Sequence, residues 1–335
     1  MKTPRLLTLL TCAALAAPTL NLSAAPAGEK IRVILDTDAN NELDDQHAIA
    51  YLLFNGQVFD VEGITVNRTR NGGDIQAQYA EALRVVQLCN LHPQIKILRG
   101  AEGSFDEIKS QLDRAGFDGA EAVDYIIDRA RATSDRRLVL LPVGKLTNIA
   151  LALAKAPDIA SKVRVVWLGS NYPEPGEYNQ VNDEPSLNYI LETRVDFEIA
   201  LVRYGKPSGT DAVRATLDEI RKLMPGQGPR VVPPVTGRHG GEFSTFGDYS
   251  VNLFEHTELH GNPPSRALFD MAAVAIVKNP AWAKAVTMPA PILKNGKWVD
   301  RPDHSRQIIL WEQFDREAIM KDFYESMKHY RLAGQ

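Results

Sequence analysis

Short runs of aliphatic and β-branched residues alternate with amphipathic segments along most of the chain. The runs predict strands at residues 31–36, 61–66, 95–98, 138–143, 163–168 and 197–202. Between the second and third runs, Ile75, Tyr79, Leu83 and Val86 fall on one stripe of a helical period. Strands that alternate with helices in this way are typical of an α/β fold, an open and mostly parallel sheet with helices on both faces.

The amphipathic segments continue the alternation to the end of the chain. Helices are predicted at residues 44–54, 74–88, 121–132, 147–155, 185–193, 211–223, 268–277 and 316–329. Residues 224–266 are rich in proline and glycine and have no clear period, so this segment is either a functional loop over a site or a solvated surface excursion. No repeat or linker divides the rest, which predicts a single domain over residues 26–335.

The first 25 residues have the features of a secretory signal peptide. Lys2 and Arg5 give a positive start, residues 6–22 are mostly apolar, and small residues surround a cleavage position after Ala25. A membrane anchor and a lipoprotein attached at Cys12 are the alternatives. We therefore expect an exported protein, either periplasmic or secreted.

Composition limits the partners of the exported part. Removal of the signal leaves Cys89 as the last cysteine, so no internal disulfide is expected. The formal net charge of −4 offers no basic excess for a nucleic acid polymer. After the signal, no apolar run is long enough to cross a membrane. Composition therefore gives no sign of a nucleic acid polymer or, after removal of the signal, of a membrane as a partner.

Five carboxylates fall within ten residues at the end of the first predicted strand. Asp36 and Asp38 follow the strand, Glu42 lies in the next loop, and Asp44 and Asp45 open a helix. Carboxylates this close repel one another unless a positive charge lies among them, and a hard divalent cation prefers oxygen ligands. Helix capping with solvated acids is the alternative, but it leaves Asp36 and Asp38 unexplained. The segment therefore predicts a metal site at the carboxyl end of the strand.

Four segments resemble the signature elements of one enzyme family. They read ILDTDANNELDDQHAIAYLL from Ile34, LPVGKLTNIA from Leu141, VVWLGS from Val165 with Glu177, Tyr178, Asn179 and Asp183 beyond it, and FDMAAVA from Phe269. In order and separation they are similar to the nucleoside hydrolases of the inosine-uridine preferring type, over residues 31–280. One difference is the spacer between the two aspartate pairs, which has five residues here, 39–43, where the family usually has three.

The resemblance implies Ca²⁺-dependent hydrolysis of the N-glycosidic bond of ribonucleosides or related ribosides. The products are ribose and free base, formed through an oxocarbenium-like transition state. The ion would lower the pKa of a bound water that attacks the sugar. By resemblance, Asp38 is a metal ligand and the general base. The further ligands are Asp45, Asp270 and the backbone carbonyl of Val143.

The resemblance also assigns contacts to the sugar. These are Asp44 and Asn179 for the ribose hydroxyls, Glu177 and Asn171 for the 5′ side, and either Asn67 or Asn71 after the second strand. Tyr178 departs from the family, which usually has phenylalanine there, and its hydroxyl is a further candidate contact to the sugar. Asp36 would hold the loop as a hydrogen-bond acceptor behind these groups. Family resemblance further implies a homo-oligomer.

Phe269 stands where some family members have a histidine near the departing base. The proton for the base must then come from another residue, or the base must leave with the help of stacking and solvent. The residues considered are His239, His256 and His260 for the proton, and Tyr172, Phe243, Phe246 and Tyr249 for stacking. The same loss motivates an alternative function, a non-catalytic metal-dependent protein that binds ribosides or sugars. A phosphatase built on Asp36 and Asp38 would not explain the other segments.

Overall fold

The structure is a computed structural model that describes residues 28–335. An eight-stranded sheet forms the centre of the protein. The strands are β1 (Ile31–Thr37), β2 (Phe59–Val66), β3 (Ile97–Arg99), β4 (Leu138–Pro142), β5 (Val163–Gly169), β6 (Asp196–Leu201), β7 (Arg214–Thr216), β8 (Val235–Thr236), β9 (Glu242–Phe243), β10 (Ser265–Ala267), β11 (Lys284–Pro289), β12 (Ile292–Lys294), β13 (Lys297–Val299) and β14 (Gln307–Glu312). The helices are α1 (Asp44–Leu53), α2 (Ile75–Leu88), α3 (Phe105–Ile108), α4 (Ala120–Arg131), α5 (Thr147–Lys155), α6 (Tyr178–Asn182), α7 (Glu184–Glu192), α8 (Leu217–Leu223), α9 (Phe246–Glu255), α10 (Phe269–Lys278) and α11 (Arg316–Lys328).

The strands of the central sheet follow the order β11-β14-β6-β5-β4-β1-β2-β3. All neighbours run parallel except β11 and β14. The chain first moves outward from β1 to β2 and β3, and then returns to β4 on the other side of β1. Such a reversal opens a crevice at the carboxyl ends of the two strands, where α/β folds bind ligands. The predicted α/β fold with a mostly parallel sheet is confirmed.

Apolar layers cover both faces of the sheet. In β1, Val33 and Leu35 join a core that includes side chains of α1, α2, α9, α10 and α11. Ile34, on the opposite face, joins a core with side chains of α4, α5 and α7. Because successive side chains of a strand point to opposite faces, a strand covered on both faces is apolar along its whole length. This explains the apolar run Val33–Leu35 within β1.

The predicted helix at residues 211–223 is wrong in its first half. Arg214–Thr216 forms β7, which pairs antiparallel with β10, and helix α8 begins only at Leu217. The start is fixed by a capping box, in which the Thr216 side chain accepts from the Glu219 N–H and the Glu219 carboxylate accepts from the Thr216 N–H. The strand was missed because its partner is distant in the sequence.

Residues 224–266 are more regular than predicted. They contain the short hairpin of β8 and β9 and the ten-residue helix α9. The Thr245 hydroxyl accepts from the Asp248 backbone N–H at the helix start. A threonine followed three residues later by an acid, ahead of apolar residues, is a start signal that the sequence contained.

The signal-peptide prediction concerns residues 1–25, which lie outside the described residues. Cys89 is buried at the end of α2, and burial raises the pKa of its thiol well above the usual range. Within residues 28–335, no helix has both the length and the apolar character to cross a membrane.

Candidate active site

An open cavity of about 330 Å³ lies at the carboxyl ends of β1, β4, β5 and β6. Its buried members, which we call the floor, are Asp38, Asp44, Asp45, Val143, Leu168, Glu177, Asn179, Val202, Ala267 and Asp270. Its partly or fully exposed members, which we call the mouth, are Asn41, Glu42, Tyr178, Tyr204, Asp211, Arg214, His260, Arg266 and Phe269. The position is the crevice expected from the strand order.

Two helix N-termini bring the acidic part of the floor together. Asp44 and Asp45 lie in the first turn of α1, and Asp270 lies in the first turn of α10, which packs against α1. Each of the three offers a carboxylate oxygen within 4.8 Å of the others. A helix N-terminus favours negative charge, but each carries only about half a positive charge. The two helices together therefore leave much of the negative charge uncompensated.

Burial is the main cause of the raised pKa values of the floor carboxyl groups. It raises the pKa of Asp38 and of Asp44 to about 7 each, with neighbouring acids adding to the effect. The pKa of Asp45 rises well above its usual range through burial and the charges of Asp38 and Asp44, and that of Asp270 rises for the same reasons. A cation bound here would displace these protons.

Asp38 lies just beyond β1 and is oriented by the loop that follows β2. The Thr69 hydroxyl donates to Asp38 Oδ2, and the Tyr178 hydroxyl donates to Thr69 Oγ1 at 3.3 Å. The Asn71 backbone N–H in turn donates to the Tyr178 hydroxyl at 2.9 Å. Within residues 28–335, no side chain donates to Asp38 Oδ1. The arrangement fixes the carboxylate and leaves that atom able to accept a proton.

Asp36 lies behind the floor and does not line the cavity. Its carboxylate accepts from Thr65 Oγ1 at 2.6 Å, Asn148 Nδ2 at 2.7 Å and Asn67 Nδ2 at 2.9 Å. Burial raises the pKa of Asp36 to about 6 although these three donors favour its charged form. The group therefore ties β1 to the end of β2 and to the first turn of α5.

Glu177 and Asn179 fix the loop after β5 against the floor. The Glu177 carboxylate accepts from the backbone N–H groups of Ser170, Asn179 and Gln180 at 2.8–2.9 Å, so it caps α6. Asn179 Nδ2 donates to the Val143 carbonyl at 2.8 Å. A carbonyl oxygen has two lone pairs, so the Val143 oxygen keeps one for another partner.

Two arginines from residues 224–266 hold the long spacer, residues 39–43. Arg238 Nη1 donates to the Glu42 carbonyl at 3.0 Å and to the Asn40 carbonyl at 3.4 Å. Arg266 pairs with the Glu42 carboxylate. The spacer is thus fixed through both its backbone and its side chain, although it is longer than the resemblance implies.

The mouth combines aromatic rings with hydrogen-bond donors. The Tyr204 ring meets Phe269 edge to face, with centroids 5.8 Å apart. Arg266 Nη1 donates to His260 Nε2 at 2.9 Å. A flat group that carries hydrogen-bond acceptors would find both a ring surface and donors here.

Residues 33–321 match the sequence model of a protein family, which is described as "Inosine-uridine preferring nucleoside hydrolase". The chain belongs to this family. Membership confirms the predicted nucleoside hydrolase superfamily and the predicted enzyme class, a hydrolase that acts on N-glycosyl bonds.

Curated relatives of this nucleoside hydrolase include two bacterial enzymes of one name. The pyrimidine-specific ribonucleoside hydrolase RihB of Escherichia coli strain SE11 is 26% identical over 282 residues, which cover 78% of this chain and 82% of the relative. RihB of Escherichia coli O17:K52:H18 is 28% identical over 280 residues with the same coverage.

Solved structures of nucleoside hydrolases share the fold. The plant nucleoside hydrolase PpNRh1 superposes with a TM-score of 0.68 at 18% identity, covering 90% of this chain and 99% of its own. The purine-preferring ribonucleoside hydrolase from Gardnerella vaginalis superposes with a TM-score of 0.63 at 20% identity, covering 88% and 98%.

The nucleoside hydrolase cavity contains most of the residues predicted for the site. Those present are Asp38, Asp44, Asp45, Val143, Glu177, Tyr178, Asn179 and Asp270. Three predicted asparagines do not line it. Asn67 is buried and donates to Asp36, Asn71 is exposed and contributes its backbone N–H, and Asn171 accepts from the Tyr204 N–H at 3.1 Å.

The residues considered for the departing base are mostly elsewhere. Of the three histidines, His260 lines the cavity. His239 and His256 do not line it, and their rings stack on each other with centroids 4.9 Å apart. Tyr172 packs on Trp298, Phe243 packs on Tyr249, and Phe246 and Tyr249 are buried in the core. The aromatic residues of the mouth are Tyr178, Tyr204 and Phe269.

Sequence reasoning missed Thr69 and Tyr204. Thr69 follows the end of β2 by three residues, and Tyr204 follows the end of β6 by three. Residues just beyond parallel strands share one edge of the sheet, and this position was the available signal. Arg214 and Arg266 were missed because they lie on β7 and β10, a strand pair that the local pattern did not predict.

Proposed function

We propose that the protein is a Ca²⁺-dependent N-ribohydrolase that converts ribonucleosides to ribose and free base. The observation that carries the proposal is the floor, where Asp38 and the Val143 carbonyl line the same cavity as the cluster of Asp44, Asp45 and Asp270. The polar groups of this surface are mostly acceptors. It suits a cation together with the adjacent hydroxyls of a ribose.

The donor set fits a hard divalent cation. Asp38, Asp45, Asp270 and the Val143 carbonyl would hold the ion, and they offer only oxygen, which Ca²⁺ prefers. Burial and mutual repulsion raise the pKa of the three carboxyl groups, and a cation among them would reverse the repulsion. Asp44, with an oxygen within 4.8 Å of those of Asp45 and Asp270, would lie beside the sugar.

When bound, the ion would act as a Lewis acid that holds the sugar hydroxyls and makes water more acidic. The residues of the chain supply the other steps. Asp38, oriented by Thr69, takes the proton of the attacking water at Oδ1. Positive charge develops on the ring as the C1′–N bond breaks, and the surrounding carboxylates have the sign that stabilises it. Asp44 and Asn179 orient the ribose hydroxyls.

The floor predicts selectivity for ribose more strongly than for one base. The relatives include an enzyme named pyrimidine-specific and one named purine-preferring. A 2′-deoxyribonucleoside lacks a hydroxyl that the buried acceptors would engage. Loss of such a hydrogen-bonding group costs a specific site about 10⁴-fold in kcat/KM.

The proposal is tested by product release. The full chain is incubated with Ca²⁺ and a panel of purine and pyrimidine ribonucleosides and their deoxy analogues, and ribose and base are separated by chromatography. We expect release from ribonucleosides, and a fall of about 10³-fold in Asp38→Asn because the general base is lost. Asp128→Asn, an exposed aspartate on α4, is the matched control and should keep full activity.

Two results would contradict the proposal. One is undiminished turnover by Asp38→Asn with unchanged circular dichroism. The other is binding of ribosides, seen as a Ca²⁺-dependent melting shift, with no product from any member of the panel. The second result would favour the non-catalytic binding protein.

We also propose that the enzyme is exported. The charged start, the apolar stretch and the small residues that end at Ala25 support this. Residues 1–25 fused to a reporter that is active only outside the cytoplasm should give signal, and Arg substitutions within residues 6–22 should abolish it. A cytoplasmic, unprocessed fusion would contradict export. Assembly into a homo-oligomer stays a prediction.

A further inference from the structure

The two ends of the cavity differ in chemistry. The floor presents carboxylates, which can only accept hydrogen bonds when ionised. The mouth presents the rings of Tyr204 and Phe269 and the donors of His260 and Arg266. Its two carboxylates, Glu42 and Asp211, are each paired with an arginine. Sugar hydroxyls need acceptors, whereas a nucleobase offers flat faces and ring acceptors. The chemistry therefore directs the sugar to the floor and the base to the mouth.

The imidazole of His260 is fixed in one tautomer. A guanidinium has donors and no acceptor, so the contact at 2.9 Å makes Arg266 Nη1 the donor and His260 Nε2 the acceptor. The ring proton of the neutral imidazole is then on Nδ1. Within residues 28–335, Nδ1 has no hydrogen-bond partner, and it belongs to a residue that lines the cavity.

The backbone and the neighbouring ion pair hold this arrangement in place. His260 N–H donates to the Ser265 carbonyl at 2.9 Å, and Ser265 N–H donates to the His260 carbonyl at 3.0 Å. Arg266 is held on its other side by the Glu42 carboxylate from the spacer. The imidazole donor is thus built into the mouth from two separate segments of the chain.

We propose that His260 is a catalytic residue that donates a hydrogen bond from Nδ1 to the departing base, and that Arg266 is the residue that positions it. This rests on the proposed N-ribohydrolase activity. The C1′–N bond breaks with its electron pair going to the base nitrogen, and the charge spreads over the ring nitrogens and carbonyl oxygens. A positioned neutral imidazole can stabilise such a developing anion by hydrogen bonding.

Cleavage of the C1′–N bond requires no net transfer of a proton from His260. The water oxygen bonds to C1′, its proton passes to Asp38, and the base takes a proton from solvent after it leaves. The cationic Arg266 at Nε2 draws electron density from the ring, which strengthens Nδ1–H as a donor. Tyr204 and Phe269 supply a flat boundary against which the base is oriented.

The proposal is tested by comparing two substrates, one whose leaving group needs hydrogen-bond stabilisation and one whose leaving group does not. The full-length enzyme is assayed with Ca²⁺ on a ribonucleoside and on 4-nitrophenyl β-D-riboside, whose phenolate leaves readily as an anion. We expect His260→Ala to lower kcat on the ribonucleoside by about 10²-fold, the cost of losing one positioned donor, and to leave kcat on the nitrophenyl riboside unchanged. His329→Ala, an exposed histidine after α11, should change neither rate.

Arg266→Met tests the positioning role. Arg266 also pairs with Glu42 of the spacer, so the assay uses saturating Ca²⁺. The variant should then show the same selective loss on the ribonucleoside, smaller than that of His260→Ala, and no further loss when the two substitutions are combined. Nitrogen NMR of the imidazole should show the Nδ1–H tautomer in the wild type and a mixture in Arg266→Met, a change that a purely structural role would not produce.

The outcomes separate this proposal from the one on which it rests. Equal loss on both substrates, or no loss on either, would overturn the role of His260 and leave the N-ribohydrolase proposal intact. A wild-type Nε2–H tautomer would overturn the role of Arg266. A wild type inactive on both substrates would overturn the N-ribohydrolase proposal itself, and this inference with it.

Discussion

Thr69 links the carboxylate that we propose as the general base to the loop after β2. Its hydroxyl donates to Asp38 Oδ2 and accepts from Tyr178. Burial raises the pKa of Asp38 to about 7, and the Thr69 hydrogen bond is the largest of the effects that oppose this rise. One hydroxyl therefore helps to decide at which pH the base is free of its proton.

Replacing Thr69 by Val should move the acid limb of the kcat/KM profile to higher pH. The substitution removes a donor to the charged carboxylate, so the pKa of Asp38 rises and the base is deprotonated only at higher pH. A hydrogen bond to a charged group contributes about 1.5–3 kcal/mol, and 1.36 kcal/mol corresponds to one pKa unit, so we expect a displacement of about one to two units. The pH dependence of kcat/KM measures it.

Thr69→Ser is the matched control, because it keeps the hydroxyl. Its acid limb should coincide with that of the wild type. Equal displacement in both variants would show that a change in side-chain shape, and not the loss of the hydroxyl, is responsible. Coincidence of all three profiles would contradict the assigned hydrogen bond.

At the scale of elements, the spacer between β1 and α1 depends on a distant segment. Residues 39–43 connect Asp38 to Asp44, and they are held by Arg238 and Arg266 from residues 224–266. Ordering five residues costs conformational entropy, so a loosened spacer must be ordered again whenever a ligand binds. The arginines reduce that cost in advance.

Replacing Arg238 by Ala should weaken Ca²⁺ binding. The substitution removes two hydrogen bonds from a guanidinium to spacer carbonyls, at 3.0 and 3.4 Å. We expect a rise in Kd of about tenfold, which corresponds to 1.4 kcal/mol and lies below the usual contribution of one charge-assisted hydrogen bond. Titration calorimetry with CaCl₂ measures it without substrate.

Arg221→Ala serves as the control for this prediction. Arg221 lies on α8 and pairs with Glu255 at the end of α9, and both side chains are well exposed. Its loss should leave Kd unchanged. An unchanged Kd in Arg238→Ala as well would mean that the spacer holds its shape without the guanidinium.

Elements with a local signal were predictable from the sequence, and elements that depend on distant partners were not. The strand β1 was predictable from a short apolar run, and the helix α5 from a helical period. Helix α5 has the predicted bounds, Thr147–Lys155. The pairing of β7 with β10 joins residues about fifty positions apart, which no window of local periodicity contains.

The same division holds in the cavity. Asp38, Asp45 and Asp270 belong to short motifs, so the sequence located them and the fold brings them to one floor. Thr69 and Arg266 have no motif, because their roles arise only when separate loops meet. Phe269 was noted as a departure, but the sequence could not show that Arg266 would orient His260 beside it.

At the scale of the whole molecule, the fold gathers carboxyl groups in one buried place, where either protons or a cation must compensate their negative charge. Helices α1 and α10 direct their N-termini to one floor, and the sheet buries the carboxyl groups there. Without a cation, protons perform the compensation, as the raised pKa values of Asp38, Asp44 and Asp36 indicate. Folding, proton binding and cation binding are therefore linked.

This linkage predicts that Ca²⁺ stabilises the protein more at pH 8 than at pH 5. In the unfolded chain these carboxyl groups release their protons near 3.8, whereas in the folded chain Asp36 releases its proton at about 6, and Asp38 and Asp44 at about 7. Between those values the native state binds more protons. The contribution of these groups to stability without cation is therefore present below pH 4 and is lost as pH rises to about 7.

Ca²⁺ binds the deprotonated carboxylates, so its stabilising effect must grow across the same pH range. With free Ca²⁺ at a hundredfold excess over Kd, the gain at pH 8 should be about 2.7 kcal/mol, and at pH 5 most of it should be absent because the apparent Kd is higher. Scanning calorimetry with CaCl₂ or with EDTA at each pH measures the difference in Tm. Because the samples with CaCl₂ and with EDTA are compared at the same pH, the titration of groups far from the floor affects both Tm values equally and cancels from their difference. An equal rise in Tm at both pH values would mean that the floor acids are already ionised at pH 5, and that protons do not compete with the cation.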